Sequence, residues 1–326
     1  MRAVVLSEFG PPEVLVGAEV ADPVATPGRV VIDVEVASIT FVETQVRAGR
    51  PPHPSMSPQL PAILGNGVGG RVLAVGADVD PALVGTEVVS TTGGSGGYAE
   101  RAAAEASGLI AVPGGLELRD AVAVLADGRT AIGLMRAAKL RPGESALVEA
   151  AGGGVGTLLV QLARAAGANV VASARGEHKL ELARELGAEA TADYSEAGWA
   201  DALGDGVDVV FDGVGGAVGQ AAFALIRPGG RFLPFGMASG EFAGISGEDG
   251  ASREVTIVAG GRRTPQELSE LTRAALTETA TGRPNCPRQP AVSSRTRPHR
   301  ATRPTATASR ARHSPCWRRL SRSRAP

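Results

Sequence analysis

The residues best placed to do chemistry are Ala150-Ala151-Gly152-Gly153-Gly154-Val155-Gly156, between a β-branched run and an Ala/Leu-rich stretch of helical period. Such a loop suits the capture of a phosphate. A tight turn has no room for a Cβ, and the helix that follows offers unpaired N–H groups and the positive end of its dipole. Set on the spacing G-x-G-x-x-G, the match is Ala151-x-Gly153-x-x-Gly156, with Ala in the first place. A lone variant of this motif is weak, and a glycine-rich turn without a nucleotide is the bland reading. The strand–loop–helix context, followed by further β-α-β units, predicts a dinucleotide site.

About twenty residues on, an NAD site usually places an acid for the ribose 2′-hydroxyl. That strand end reads Ala172-Ser173-Ala174-Arg175-Gly176 and has no acid. Arg175 and Lys179 are available for a 2′-phosphate instead, and Ser173 is small enough to admit one. NADPH is therefore expected over NADH; the alternative is that both cations are ordinary solvated charges. Metal chemistry finds little support. Before residue 281 the only histidines are His53 and His178, without partners at ligand spacing, and both cysteines, Cys286 and Cys316, lie beyond it. Thiolate zinc sites and a disulfide framework are excluded there, and no metal is expected.

The elements that must position this loop fall into two groups. Residues 1–118 carry short β-branched runs at 3–6, 30–36, 70–75 and 87–90, separated by Gly/Pro turns, and predict a small β-barrel domain. Within it, 38–60 reads as irregular. From 119 the period changes to alternating helices and strands, which predicts a parallel sheet covered on both faces over 119–262. A helix over 263–280 returns toward the first domain. The run Val255-Thr256-Ile257-Val258 is expected at the sheet edge, where an unpaired strand invites a second chain.

The formal net charge of −1 over 326 residues hides a split. All 34 acids lie in residues 1–280, whereas 281–326 holds 12 Arg, 7 Pro and no acid. That segment cannot bury enough apolar surface to offset its ordering entropy, so a disordered basic tail is expected. Its charge suits nucleic acid, but only Trp317 could stack, and nucleic-acid binding is not expected. No apolar stretch approaches the roughly 18–20 residues of a membrane span, and the strand-like start lacks a signal peptide's apolar region. A cytoplasmic protein without membrane attachment is expected.

These residues resemble the medium-chain dehydrogenase/reductase superfamily, in its zinc-free quinone oxidoreductase (zeta-crystallin-like) branch. The resemblance is carried by the glycine loop, Phe9-Gly10-Pro11-Pro12-Glu13-Val14-Leu15, Gly97-Tyr98-Ala99-Glu100, Asp212-Gly213-Val214-Gly215-Gly216 and Arg227-Pro228-Gly229-Gly230-Arg231. It covers residues 1 to about 280 and implies an α/β chain: a GroES-like barrel, then a Rossmann domain, with the site in the cleft between them. It implies cofactor contacts at Thr130, Gly153, Gly154, Val155, Gly156, Ser173, Lys179, Tyr194, Gly213 and Val214, and a homodimer through the Rossmann sheet edge. Zinc-dependent members carry a His-Glu pair where this chain has Gly65-Asn66-Gly67. The usual V-N-F-x-D-T-Y loop reads Ile39-Thr40-Phe41-Val42-Glu43-Thr44-Gln45, which removes its Asn and Tyr.

The expected activity is metal-free hydride transfer from NADPH to a quinone or similar electrophilic small molecule. Thr40, Glu43 and Asn66 are the polar candidates near the cleft, and no residue is named for general acid catalysis. The alternatives are an enone or enoyl reductase, or a catalytically weak NADPH-binding protein. The family's closing segment is replaced after about 281 by Arg/Pro-rich sequence, so the barrel is expected to lack its returning strand and activity to suffer.

Overall fold

The computed structural model describes residues 1–282 apart from 205, 259 and 262, together with the backbone of a short strand at 292–293. The first part of the chain is built of β1 (Arg2–Leu6), β2 (Leu15–Glu19), β3 (Arg29–Ala37), α1 (Phe41–Arg47), β4 (Ala62–Ile63), β5 (Gly67–Val75), β6 (Glu87–Thr91), β7 (Arg101–Glu105) and β8 (Ile110–Ala111). Two antiparallel sheets result. The small one has the order β2-β1-β4; in the large one β3, β5, β6 and β8 are successive neighbours and β7 pairs with the outer side of β3. Alternating apolar positions of β3 and β5, such as Val30, Ile32, Val34, Val68 and Val72, face inward and make a core of their own.

The second part runs α2 (Leu118–Ala138), β9 (Ser145–Val148), α3 (Gly154–Ala165), β10 (Asn169–Ala174), α4 (Glu177–Glu185), β11 (Ala190–Asp193), β12 (Val207–Asp212), α5 (Gly216–Ala224), β13 (Ile226–Pro234), α6 (Gly247–Ser252), β14 (Thr256–Ile257) and α7 (Pro265–Ala280). Its six strands pair in parallel in the order β11-β10-β9-β12-β13-β14. The order reverses between β10-β9 and β9-β12, which opens a crevice at the carboxyl ends of β9 and β12. Val148, Phe211, Leu158, Leu159 and Leu276 fill the layer on one face, shared by α2, α3 and α7. Leu147, Val210, Phe223 and Phe232 fill the other, where the two phenyl rings meet edge to face at 5.5 Å. α7 begins at a reciprocal cap in which Thr264 and Glu267 satisfy each other's backbone N–H, with Pro265 in the first turn.

The GroES-like and Rossmann halves agree with expectation, and β14 does lie at the sheet edge. Two readings are corrected. The segment 38–60 is not wholly irregular, because it contains α1. The barrel does not wholly lack a returning strand: β15 (Val292–Ser293) pairs antiparallel with β3 at Ala37 and Val36. It continues the edge of β3 that β7 covers from Arg29 to Asp33, so backbone does return to the barrel. Elsewhere in 283–326 the expected disorder lies outside the described residues.

Candidate dinucleotide site

The glycine loop sits in the crevice between β9 and α3. Ala150 takes a left-handed φ of 50°, uncommon for a residue with a Cβ. Its carbonyl then accepts the Gly153 N–H at 2.8 Å and closes the turn. A Cβ at Gly156 would lie 2.3 Å from the Ala150 carbonyl oxygen and 2.8 Å from Ala151 Cα, so the first turn of α3 rests directly on the loop. At Gly152 a Cβ would lie 2.7 Å from Lys179 Cβ and Cγ, which shows the lysine stem laid across the loop. At Gly153 a Cβ would meet only the Ala150 carbonyl, at 3.1 Å, and otherwise open space. Gly154 and Val155 begin α3 and direct its free N–H groups at that space. The arrangement fits a dinucleotide pyrophosphate.

Arg175, just past β10, and Lys179, in the first turn of α4, are both exposed. Ser173 differs from expectation: it is fully buried, and its Oγ has no hydrogen-bond partner. Its side chain belongs to the interior of the sheet. Tyr194 follows β11 half-buried, its N–H donating to the Ala174 carbonyl at 3.3 Å. Burial raises its phenol pKa, and Arg175 opposes the shift. Thr130 lies half-buried on α2, its hydroxyl donating to the Ala126 carbonyl at 2.8 Å.

Gly213 and Val214 form the turn after β12. A Cβ at Gly213 would lie 2.7 Å from the Phe235 ring and 3.3 Å from Ala150 Cβ, so this turn packs against the glycine loop. The carbonyls of Gly213 and Val214 accept from Ala238 and Ser239, which clamps the turn to the loop after β13.

The three polar candidates of the first domain are joined in one network. Glu43 Oε2 accepts the Thr40 N–H at 2.6 Å, while Thr40 Oγ1 accepts the Glu43 N–H at 3.4 Å. This reciprocal cap starts α1, and its Thr-x-x-Glu pattern was readable in the sequence. Glu43 Oε1 accepts the Asn66 N–H at 2.7 Å, and Asn66 Oδ1 accepts the Gly94 N–H at 2.8 Å. Glu43 is buried, and both its oxygens are committed to backbone. The geometry makes it a brace between α1 and the start of β5. Beside it, burial foremost and then the Glu43 charge raise the Tyr98 phenol pKa far above the usual range.

Sequence reasoning assigned no role to Glu149 or Asp212, two fully buried acids at the ends of β9 and β12. The available signal was an acid in the run Ala146-Leu147-Val148-Glu149, since strands of a covered parallel sheet are apolar on both faces. Among the described residues, no three His, Cys, Asp or Glu side chains come together as a metal ion would require. No helix among them is long and apolar enough to cross a membrane.

Fold and glycine loop together define a GroES-like half followed by a Rossmann half with a loop of the dinucleotide-binding type. The family model for the alcohol dehydrogenase GroES-like domain matches residues 26–114, and that for zinc-binding dehydrogenases matches 154–277. A quinone oxidoreductase of Pseudomonas aeruginosa is 32% identical over 75% of this chain and 76% of its own length. A 2-haloacrylate reductase of a Burkholderia species is 34% identical over 74% of each chain. A mycobacterial protein solved with NADPH superposes with a TM-score of 0.77 at 30% identity, over 87% of this chain and 90% of its own. The chain belongs to the medium-chain dehydrogenase/reductase superfamily, in its zinc-free quinone oxidoreductase branch.

Proposed function

We propose that the protein is an NADPH-dependent reductase of small electrophilic acceptors, with quinones as the first substrate class. The observation that carries this is the pairing of a glycine loop open at Gly153 with two exposed cations, Arg175 just past β10 and Lys179 in the first turn of α4. The mycobacterial structural relative binds NADPH, which supports the choice of cofactor. When bound, NADPH supplies the hydride, and a quinone or conjugated alkene is electrophilic enough to accept it without a Lewis acid. The chain supplies position. N–H groups of Gly154 to Gly156 at the start of α3 hold the pyrophosphate, Arg175 and Lys179 pair with the 2′-phosphate, and Gly213 and Val214 bound the crevice beside Thr130. The Thr40–Glu43–Asn66 network shapes the barrel side and donates no proton, so solvent protonates the reduced quinone.

A second reading, reduction of an activated alkene, is favoured by the Burkholderia relative, a 2-haloacrylate reductase. NADPH oxidation by the purified protein against matched quinone and enone panels separates the two. Turnover with enones alone would replace the first reading by the second. Assembly through the exposed edge at β14 as a homodimer is part of the proposal; light scattering that shows a monomer at micromolar concentration would count against it.

A further inference from the structure

Glu149 and Asp212 lie side by side. Their strands pair in parallel register at Leu147 and Val210 and at Val148 and Phe211, and the Glu149 N–H donates to the Phe211 carbonyl at 3.1 Å. One step further along the ladder brings the two acids together, on the sheet face shared with Leu147 and Val210. Both are fully buried. Neither oxygen of Glu149 accepts a well-formed hydrogen bond, and Asp212 Oδ2 accepts none; the Val214 N–H also faces Glu149. Asp212 Oδ1, in contrast, accepts the N–H groups of Val214 at 2.9 Å and Gly215 at 2.7 Å. The carboxyl within reach of Glu149 is that of Asp212. Two carboxylates cannot bond while both are ionised, and two buried charges with no cation between them cannot coexist. One proton between them removes both difficulties. Asp212 Oδ1 is already engaged by two N–H groups, so the free Asp212 Oδ2 is the acceptor for a proton carried by Glu149.

We propose that Glu149 is a positioning residue: its proton, shared with Asp212, holds the Val214–Gly215 turn in the shape that receives the dinucleotide, and loss of that proton loosens binding. This rests on the functional reading above. No redox or covalent step is involved, only a proton released to solvent at high pH.

Among the described residues, three groups bear on Glu149. Asp212 comes from β12, Tyr194 from beyond β11, and the Val214 N–H from the turn itself. Ser173, one step beyond the Ala172–Val148 pair of the β10–β9 ladder, adds an unpartnered hydroxyl on the same row. α5, which starts from this turn, carries no charged side chain. Burial first, and Asp212 second, hold the Glu149 carboxyl well above the ordinary carboxylate range. The folded protein therefore keeps a proton that the unfolded chain releases near the ordinary value. The resulting stability is fully present in acid below that value and is lost as pH rises toward the folded one.

The test compares the full-length protein with Glu149→Gln and Glu149→Ala. Gln donates a permanent N–H to Asp212, so E149Q should bind NADPH within about twofold of the parent near pH 6. As pH rises above neutrality toward the folded carboxyl's own raised value, the parent should lose NADPH affinity, read by nicotinamide fluorescence, and E149Q should lose little. E149A, which leaves Asp212 Oδ2 without a donor, should bind weakly throughout. Without cofactor, the parent's melting temperature should fall with pH more steeply than that of E149Q. An infrared carbonyl band of a protonated carboxyl near neutral pH, absent from E149Q, is the cofactor-free signature. Equal pH slopes in parent and E149Q, or no such band in the parent, would overturn the proposal. The band needs no variant to fold. If the band and the melting slope appear but no dinucleotide binds, the functional reading fails while the shared proton stands.

Discussion

Gly156→Ala is the most informative single change in the glycine loop. Its new Cβ would lie 2.3 Å from the Ala150 carbonyl oxygen, 2.8 Å from Ala151 Cα and 2.9 Å from the Ala150 carbonyl carbon. All three are backbone atoms, so no side chain can swing away. Reaching even a 3.0 Å contact requires α3 to slide off the loop by about 0.7 Å. Overpacking of this kind costs about 1–3 kcal/mol. Alanine recovers part of this, because glycine inside a helix costs about 0.5–1 kcal/mol. The net loss is about 0.5–2 kcal/mol, or roughly 1–3 °C in melting temperature for a chain of this size. The paired control is Gly153→Ala. Gly153 has φ −87° and ψ 169°, open to any residue, and its Cβ would meet only the Ala150 carbonyl oxygen at 3.1 Å. Stability should change by less than about 0.5 kcal/mol. The methyl nevertheless stands where a phosphate must approach, so NADPH affinity should fall by more than about tenfold. Calorimetry and fluorescence titration on both variants separate packing from binding. If G156A melts like the parent, the close approach of α3 is wrong. If G153A binds NADPH like the parent, the loop is not the phosphate site.

Arg175→Ala should weaken NADPH by about tenfold or more, since a charge-assisted bond contributes roughly 1.5–3 kcal/mol, and should leave NADH unchanged; equal losses for both cofactors would refute the 2′-phosphate role. Glu43→Ala strands the N–H groups of Thr40 and Asn66 and should cost about 2–3 kcal/mol in denaturant unfolding. Glu43→Ala with unaltered stability would show that the brace between α1 and β5 contributes nothing. Prolonged chelation followed by metal analysis should leave NADPH oxidation intact, and activity lost on chelation and restored by zinc would contradict the metal-free reading.

Most of the architecture was legible because period and punctuation agree. The runs at 146–148, 170–173 and 207–211 are too apolar for a half-exposed strand and too short for a helix, which leaves a covered parallel sheet. The Gly152–Gly156 loop was legible for the same reason: local sequence and neighbouring elements point one way. α1 was hidden by the proline-rich stretch after it, although Thr40 and Glu43 stood at capping distance. Ser173 misled because its size and position suit a ribose phosphate, while strand alternation turns its side chain inward beside Glu149. The Glu149–Asp212 pair could not be read from spacing. The two residues are 63 positions apart, and only strand order brings β9 against β12. The backbone pairing at Val292–Ser293 was hidden by composition, since an Arg/Pro-rich segment gives no strand period.

NADPH is proposed to bind in the β9–α3 crevice of this fold and to pass its hydride to a small electrophile. The most direct test is stopped-flow mixing of the NADPH-loaded protein with a quinone, with NADPH deuterated at the transferred position in a parallel run. The account predicts loss of the nicotinamide absorbance on mixing, slowed by the deuterium. NADPH that stays reduced with quinones and enones alike, despite saturable binding, would contradict it.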